Sequence, residues 1–309
     1  MQKSKIFQAV GLVGTLTCLI LYARQPSFPT PDKIIIFLLF VFMIFKNSVE
    51  LFKRFGPFVV FLLAYEMLRG LAPKLNTRVE FTWMIDMDKI LGFGELPTTR
   101  LQRALWHGHV QWYDIVAYIP YILHFLLPII LGLLIWKYKD KMYWRFVTAF
   151  LVLSFAGLIT YIAVPAAPPW MAHDKGYVGE PFTRISSEVW ATLGIEDFPS
   201  VYNEISPNPV AALPSLHAGY ATLFFIFVLR VFGWRWALLA FIQPALIYFG
   251  TVYQGEHYLI DELLGSLYAL GAYSITAYAF NSPRIRNFAK RKSSWLQRLL
   301  IPKDKPTVA

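Results

Sequence analysis

Eight apolar runs dominate this chain, near residues 6–23, 33–46, 55–69, 114–136, 145–165, 212–230, 235–254 and 258–280. A helix of about 20 apolar residues crosses the hydrocarbon core of a bilayer. Inside that core a spanning segment must satisfy its own backbone N–H and C=O groups, and a helix does so within itself. The expectation is therefore an all-α, polytopic transmembrane helix bundle of about eight spans. The second and third runs are short for a crossing. The first lacks a small-x-small cleavage site before Gln25 and is read as a retained helix rather than a removed signal peptide. Only 16% of the residues are charged, against about 25% in soluble domains, and the mean hydropathy is +0.47. No polar linker divides the chain, so one membrane domain with a short tail is the simplest organisation. Cys18 is the single cysteine, which leaves no intrachain disulfide framework.

The net charge of +10 raises the question of nucleic acid. The basic residues instead sit at the ends of apolar runs and in the tail, where they suit anionic lipid headgroups. Short cytoplasmic loops collect Lys and Arg. With eight spans, the N-terminus (Lys3, Lys5), the Lys46–Arg54 segment, the 137–144 loop, the 231–234 turn and the tail from Asn281 all fall on that side. The acid-bearing 166–211 loop falls outside. Residues 70–113 mix charged and aromatic side chains and read as a short amphipathic helix lying on the membrane surface. Trp295, Leu296, Leu299 and Leu300 suggest a second surface helix in the tail. The organisation expected is 1–50 as N-terminal transmembrane helices, 51–280 as a catalytic membrane core and 281–309 as a basic cytoplasmic tail.

Two polar islands interrupt this pattern at one predicted depth. "EHYLID" (256–261) begins the last run and "ALPSLHAGYA" (212–221) begins the sixth, both at their outer ends. Ionisable groups at membrane depth are expensive and mark function. Residues four apart share a helix face, so Asp261 can orient His257 by accepting from one ring nitrogen and leaving the other lone pair for attack. A neutral imidazole so held can attack phosphorus and form a phosphohistidine. His217 can act as general acid to the leaving oxygen and general base to the acceptor. Pro214 and Ser215 precede it at a helix start, where unpaired N–H groups suit an anion. Two histidines and a carboxylate can also bind zinc, but no HExxH motif or cysteine cluster accompanies them. His107 and His109 in "WHGHVQW" are read as interfacial.

Pro214-Ser215-Leu216-His217 and His257-Tyr258-Leu259-Ile260-Asp261 match the forms P-S-x-H and H-x-x-x-D. At these residues the sequence resembles the type 2 phosphatidic acid phosphatase superfamily. "APPW" (Ala167 to Trp170), "PSLHAG" and "HYLIDELLG" resemble the branch containing fungal inositol phosphorylceramide synthase. The resemblance covers roughly residues 50–280. It implies a six-helix lipid-phosphatase-like core, with His257 as nucleophile, Asp261 as its partner and His217 at the leaving group. No cofactor and no metal are expected, because a histidine nucleophile supplies what a metal-bound water would otherwise provide.

The superfamily pattern places Ser-Arg upstream of the nucleophile, with the Arg six residues before it. Here those positions are Gly250 and Thr251, and no Lys-x6-Arg-Pro motif is present. A dianionic monoester needs cations, preferably a bidentate Arg, and a phosphodiester needs fewer. The expected activity is therefore phosphotransfer from a lipid phosphodiester, such as an inositol-phosphate headgroup, to a lipid or other alcohol. Hydrolysis of a lipid phosphate or diphosphate is the alternative, since both reactions need the same His–Asp–His set. An inactive transporter or scaffold is a further rival, although its polar groups belong at the bilayer midplane. Candidates for binding the phosphate are Ser215, Arg69 (oriented by Glu66 at i−3), Arg184 and Lys175. A snorkelling role for Arg69 is the plain alternative. The partners implied are a membrane phospholipid or other lipid phosphate and an alcohol acceptor, with no nucleic acid; oligomeric state is not legible.

Overall fold

A computed structural model describes residues 2–25, 31–45, 48–124, 126–194 and 208–283. The chain is all-α, and among the described residues the only β pairing is a set of isolated bridges. The helices are α1 (Gln2–Arg24), α2 (Pro31–Ile44), α3 (Ser48–Leu75), α4 (Trp83–Leu91), α5 (Pro97–Leu105), α6 (Trp112–Leu123), α7 (Leu126–Ala163), α8 (Pro169–Asp174), α9 (Ile185–Thr192), α10 (Leu216–Phe232), α11 (Trp234–Ala240), α12 (Ile242–Tyr253) and α13 (Leu259–Asn281). The tail predicted to form a second surface helix lies outside the described residues.

Among the described residues, five segments are long and apolar enough to cross a membrane by length and composition: Lys5–Arg24, Glu50–Leu75, Leu126–Ala163, Trp234–Tyr253 and Leu259–Asn281. Lys33–Ile44 and Leu216–Phe232 are shorter apolar helices. The protein is thus an integral membrane protein built as a helical bundle. The long α7 is two helices in one. Lys139 has non-helical φ/ψ (−147°, 54°), and a Cβ placed on Gly132 would stand 3.5 Å from the Phe146 ring. Fourteen residues of straight helix would separate those positions by about 21 Å, so the chain reverses at Lys139. The fourth and fifth predicted runs correspond to α6 with the first half of α7, and to its second half.

The core lies between α3, α7, α10 and α13. Phe55, Phe58, Leu131, Ile135, Phe146, Phe150, Leu153, Leu223 and Phe227 fill it. Hydroxyls buried there find partners inside the bundle: Ser154 with Tyr220 at 2.9 Å, and Tyr161 donating to the Pro214 carbonyl at 2.9 Å. Satisfying polar groups internally is the condition for burying them. At one end, three connecting segments are laced together. Glu80, Ala166 and Ala211 form parallel bridges, with Ala166 N–H donating to Val210 O at 2.8 Å and Ala167 N–H to Glu80 O at 2.9 Å.

Residues 70–113 hold two short helices, α4 and α5, where one was expected. Both pack onto the bundle, and α4 has a specific anchor. Asp88 is fully buried and its two oxygens accept the N–H groups of Leu259 and Ile260, both at 2.8 Å. Those are two of the donors that the first turn of α13 cannot satisfy itself. A carboxylate from a distant helix thus caps the helix that carries Asp261.

Candidate active site

The two polar islands meet at this capped end. Ser215 is the N-cap of α10, its Oγ accepting the Ala218 N–H at 3.3 Å, as a helix start requires. His217 follows in the first turn. The Ser215 N–H donates to the Asp261 carbonyl at 3.0 Å, which stitches the start of α10 to the first turn of α13. Gly265 permits this approach: a Cβ there would stand 2.0 Å from the Ser215 carbonyl oxygen.

His257 reaches the site by a different route from the one its spacing suggests. It precedes α13, whose N-cap is Tyr258. Gly255, with φ of +81°, reverses the chain after α12, a conformation glycine adopts without penalty. The N–H groups of Glu256 and His257 then both donate to the Thr251 carbonyl, at 2.9 and 3.2 Å. Asp261 holds the third position of α13 and its Oδ2 accepts the Tyr258 N–H at 3.0 Å. The pair therefore comes together through helix-capping geometry rather than across a helix face.

The three side chains form a line. His217 Nδ1 lies 3.0 Å from His257 Nε2, and His257 Nδ1 lies 3.6 Å from Asp261 Oδ2. The second separation suits an ion pair and is too long for a hydrogen bond. With the Nδ1 proton turned to Asp261, the His257 Nε2 lone pair faces His217. Burial works against a charged His257, but the carboxylates of Asp261, Glu262 and Glu256 outweigh it and hold the imidazole above its usual pKa. Asp88, outside the spans, is pushed up to about 6, first by burial.

His217 forms part of the wall of a cavity of about 470 Å³ and contacts His257 at 3.0 Å. The His217 ring stacks on Tyr121 (centroids 4.3 Å, 20°) and meets the edge of His124 (4.4 Å, 72°). Its lining mixes apolar residues, among them Phe58, Leu62, Ile129, Phe150 and Leu216, with polar ones, including Arg184, Ser186, Ser187 and Glu256.

The phosphate-binding candidates divide. Arg69 lines the cavity and its Nε–H donates to Glu66 Oε2 at 3.0 Å, as its spacing predicted. Arg184 lines the cavity as well and is paired with Glu256. Ser215 is fully buried, with its polar groups committed to α10, Asp261 and Glu262. Lys175 is exposed at the end of α8 and does not line the cavity. Thr251, at the position of the missing arginine, donates its hydroxyl to the buried Glu262 at 2.8 Å.

Sequence reasoning gave no role to His124, Tyr121, Asp88 or Glu256. His124 and Tyr121 sit in an apolar run without periodic polarity. The one available signal was an isolated histidine at membrane depth.

Three comparisons bear on this arrangement. Residues 82–275 match the profile described as the PAP2 superfamily. A Phosphoinositol dihydroceramide synthase of Bacteroides thetaiotaomicron is 29% identical over 256 residues, covering 78% of this chain and 82% of that one. An Inositol phosphorylceramide synthase of Candida albicans is 26% identical over 174 residues, 54% of this chain and 36% of that one. The Inositol phosphorylceramide synthase catalytic subunit of Schizosaccharomyces pombe is 29% identical over 167 residues, 51% of this chain and 38% of that one. The chain thus spans little more than a third of the two fungal proteins. No solved structure matches it.

Proposed function

The chain belongs to the PAP2 superfamily, and on that premise we propose that it transfers an inositol-phosphate headgroup from a phospholipid to the hydroxyl of a ceramide-like lipid. The observation that carries this reading is the line His217–His257–Asp261 at the wall of a half-apolar cavity. The names of the three relatives supply the headgroup and the acceptor class.

Two balanced steps follow. His257 Nε2 attacks phosphorus, a P–N bond forms, and the P–O bond to the diacylglycerol oxygen breaks. His217 delivers a proton to that oxygen. In the second step His217 takes the proton of the acceptor hydroxyl. The resulting oxygen attacks phosphorus and the P–N bond breaks, which regenerates His257. Asp261 orients the ring throughout and stabilises its positive charge when the nitrogen is phosphorylated.

Charge supports a diester over a monoester. Both arginines at the cavity are paired with carboxylates, Arg69 with Glu66 and Arg184 with Glu256. A site so neutralised is a poor match for a dianion. The basic short loops support an active site on the external face, periplasmic or luminal, with both termini cytoplasmic.

Purified protein given headgroup-labelled phospholipids, with and without ceramide, tests the reading. Label in a new acceptor-dependent lipid is expected. Label released only as a water-soluble product would make the protein a hydrolase.

A further inference from the structure

Glu256 opens the "EHYLID" stretch, yet the phosphoryl transfer leaves it without a task. It is a 9% exposed carboxylate beside the nucleophile. Arg184 donates to it from Nε at 2.8 Å and from Nη2 at 3.3 Å. The Ser186 hydroxyl donates to the same carboxylate through a short hydrogen bond. The Arg184 guanidinium stands 4.2 Å from the centroid of the Trp170 ring, which fixes its plane. Glu256, Arg184, Ser186 and the neighbouring Ser187 all line the cavity that reaches His217.

A paired guanidinium and carboxylate carry no net charge, so this group has little to offer a phosphate. It does place acceptor lone pairs next to N–H and O–H donors. A hydroxyl group donates and accepts at once, and vicinal hydroxyls on a ring present that pattern twice. The apolar part of the lining (Phe58, Leu62, Ile129, Phe150) suits acyl chains. Because Glu256 adjoins His257, a group held on it stays with the phosphorus bound to that histidine rather than leaving with the diacylglycerol.

We infer that Glu256, with Arg184 and Ser186, forms the subsite that selects the transferred headgroup by hydrogen bonding the hydroxyls of a cyclic polyol phosphate. This rests on the inositol-phosphate reading above and adds the residues that choose the headgroup. A site built to bond hydroxyls discriminates against analogues lacking them, because its buried polar groups are then left unpaired.

The test is a donor comparison in ceramide-containing vesicles. Phosphatidylinositol is set against phosphatidylethanol, whose headgroup has no hydroxyl, and the ratio of kcat/KM values is read for each protein. Wild type is expected to favour the inositol lipid strongly. Glu256→Gln should lower the ratio by roughly tenfold to a hundredfold, the range for losing hydrogen bonds to a charged group. Arg184→Gln should lower it in the same direction. Arg184 is 42% exposed, so this second variant probes the same subsite from its more solvated partner. A ratio unmoved in both variants, or losses equal for the two donors, would overturn the subsite while leaving inositol-phosphate transfer standing. A wild type that takes nothing from phosphatidylinositol would refute the donor reading on which the subsite rests.

Discussion

Gly265→Ala adds one methyl group between α10, which carries His217, and α13, which carries Asp261. Its Cβ would stand 2.0 Å from the Ser215 carbonyl oxygen and 3.2 Å from the Gly219 nitrogen. Both neighbours are backbone atoms at the start of α10, so no side-chain rotation relieves the clash. Ordinary contact begins at 3.4 Å, so α10 and α13 must part by about 1.4 Å. Overpacking of this kind costs about 1–3 kcal/mol. The larger effect falls on geometry. The 3.0 Å contact between His217, in the first turn of α10, and His257, just before the N-cap of α13, lies beside this seam, and a misplacement of about 1 Å costs roughly 10²-fold in rate. Gly265→Ala should therefore lower kcat by about that factor, with a smaller change in KM for either lipid. Gly271→Ala, on the same helix with nothing within 4 Å of the added carbon, should turn over like wild type. Headgroup transfer in detergent micelles measures both. If Gly265→Ala matches wild type while His217→Ala is inactive, the tight seam does not set the catalytic geometry.

Asp261→Asn should keep the fold and lower kcat by roughly 10⁴-fold, the loss seen when an orienting carboxylate becomes an amide; single-turnover rates check this. Arg69→Ala should lower kcat by about 10²–10³, as for one lost transition-state donor, and Arg69→Lys should recover only part of it; steady-state kinetics on both variants would show near-normal rates if Arg69 merely snorkels. Asp88 has a folded pKa of about 6 against an ordinary 3.8. A carboxyl raised on folding stabilises fully at low pH and loses that contribution as pH rises through the folded value. The melting temperature in detergent should therefore fall between about pH 4 and 6, and Asp88→Asn should flatten that slope. Turnover should survive chelators, since His257 supplies the nucleophile that a metal-bound water would otherwise provide; activity lost to a chelator and restored by zinc would contradict this.

The polar residues that gather at the candidate site were more legible than the geometry that gathers them. His217, His257 and Asp261 stood out because polar groups in apolar runs are costly, and the structure brings them together. The reason given for their proximity was incomplete. An i,i+4 spacing implies one helix face, whereas His257 lies before α13 and Asp261 reaches back as a helix cap. Capping arrangements depend on backbone reversal at Gly255, which no side-chain periodicity encodes. The turn at Lys139 was legible because three lysines break an apolar stretch. The burial of Asp88 was not. Its partners, Leu259 and Ile260, lie some 170 residues away, and an acid on an amphipathic segment ordinarily faces water. The pairing of Arg184 with Glu256, 72 residues apart, was hidden for the same reason.

The central claim is that His257 carries the phosphoryl group. Purified protein is incubated with phosphatidylinositol labelled in its phosphate, without acceptor, then quenched under alkaline conditions and digested for mass spectrometry. The account predicts an acid-labile inositol-phosphate adduct on the peptide containing His257, absent in His257→Ala and discharged into a new lipid when ceramide is added. Sustained headgroup transfer by His257→Ala, or turnover by wild type with no adduct on that peptide, would contradict it.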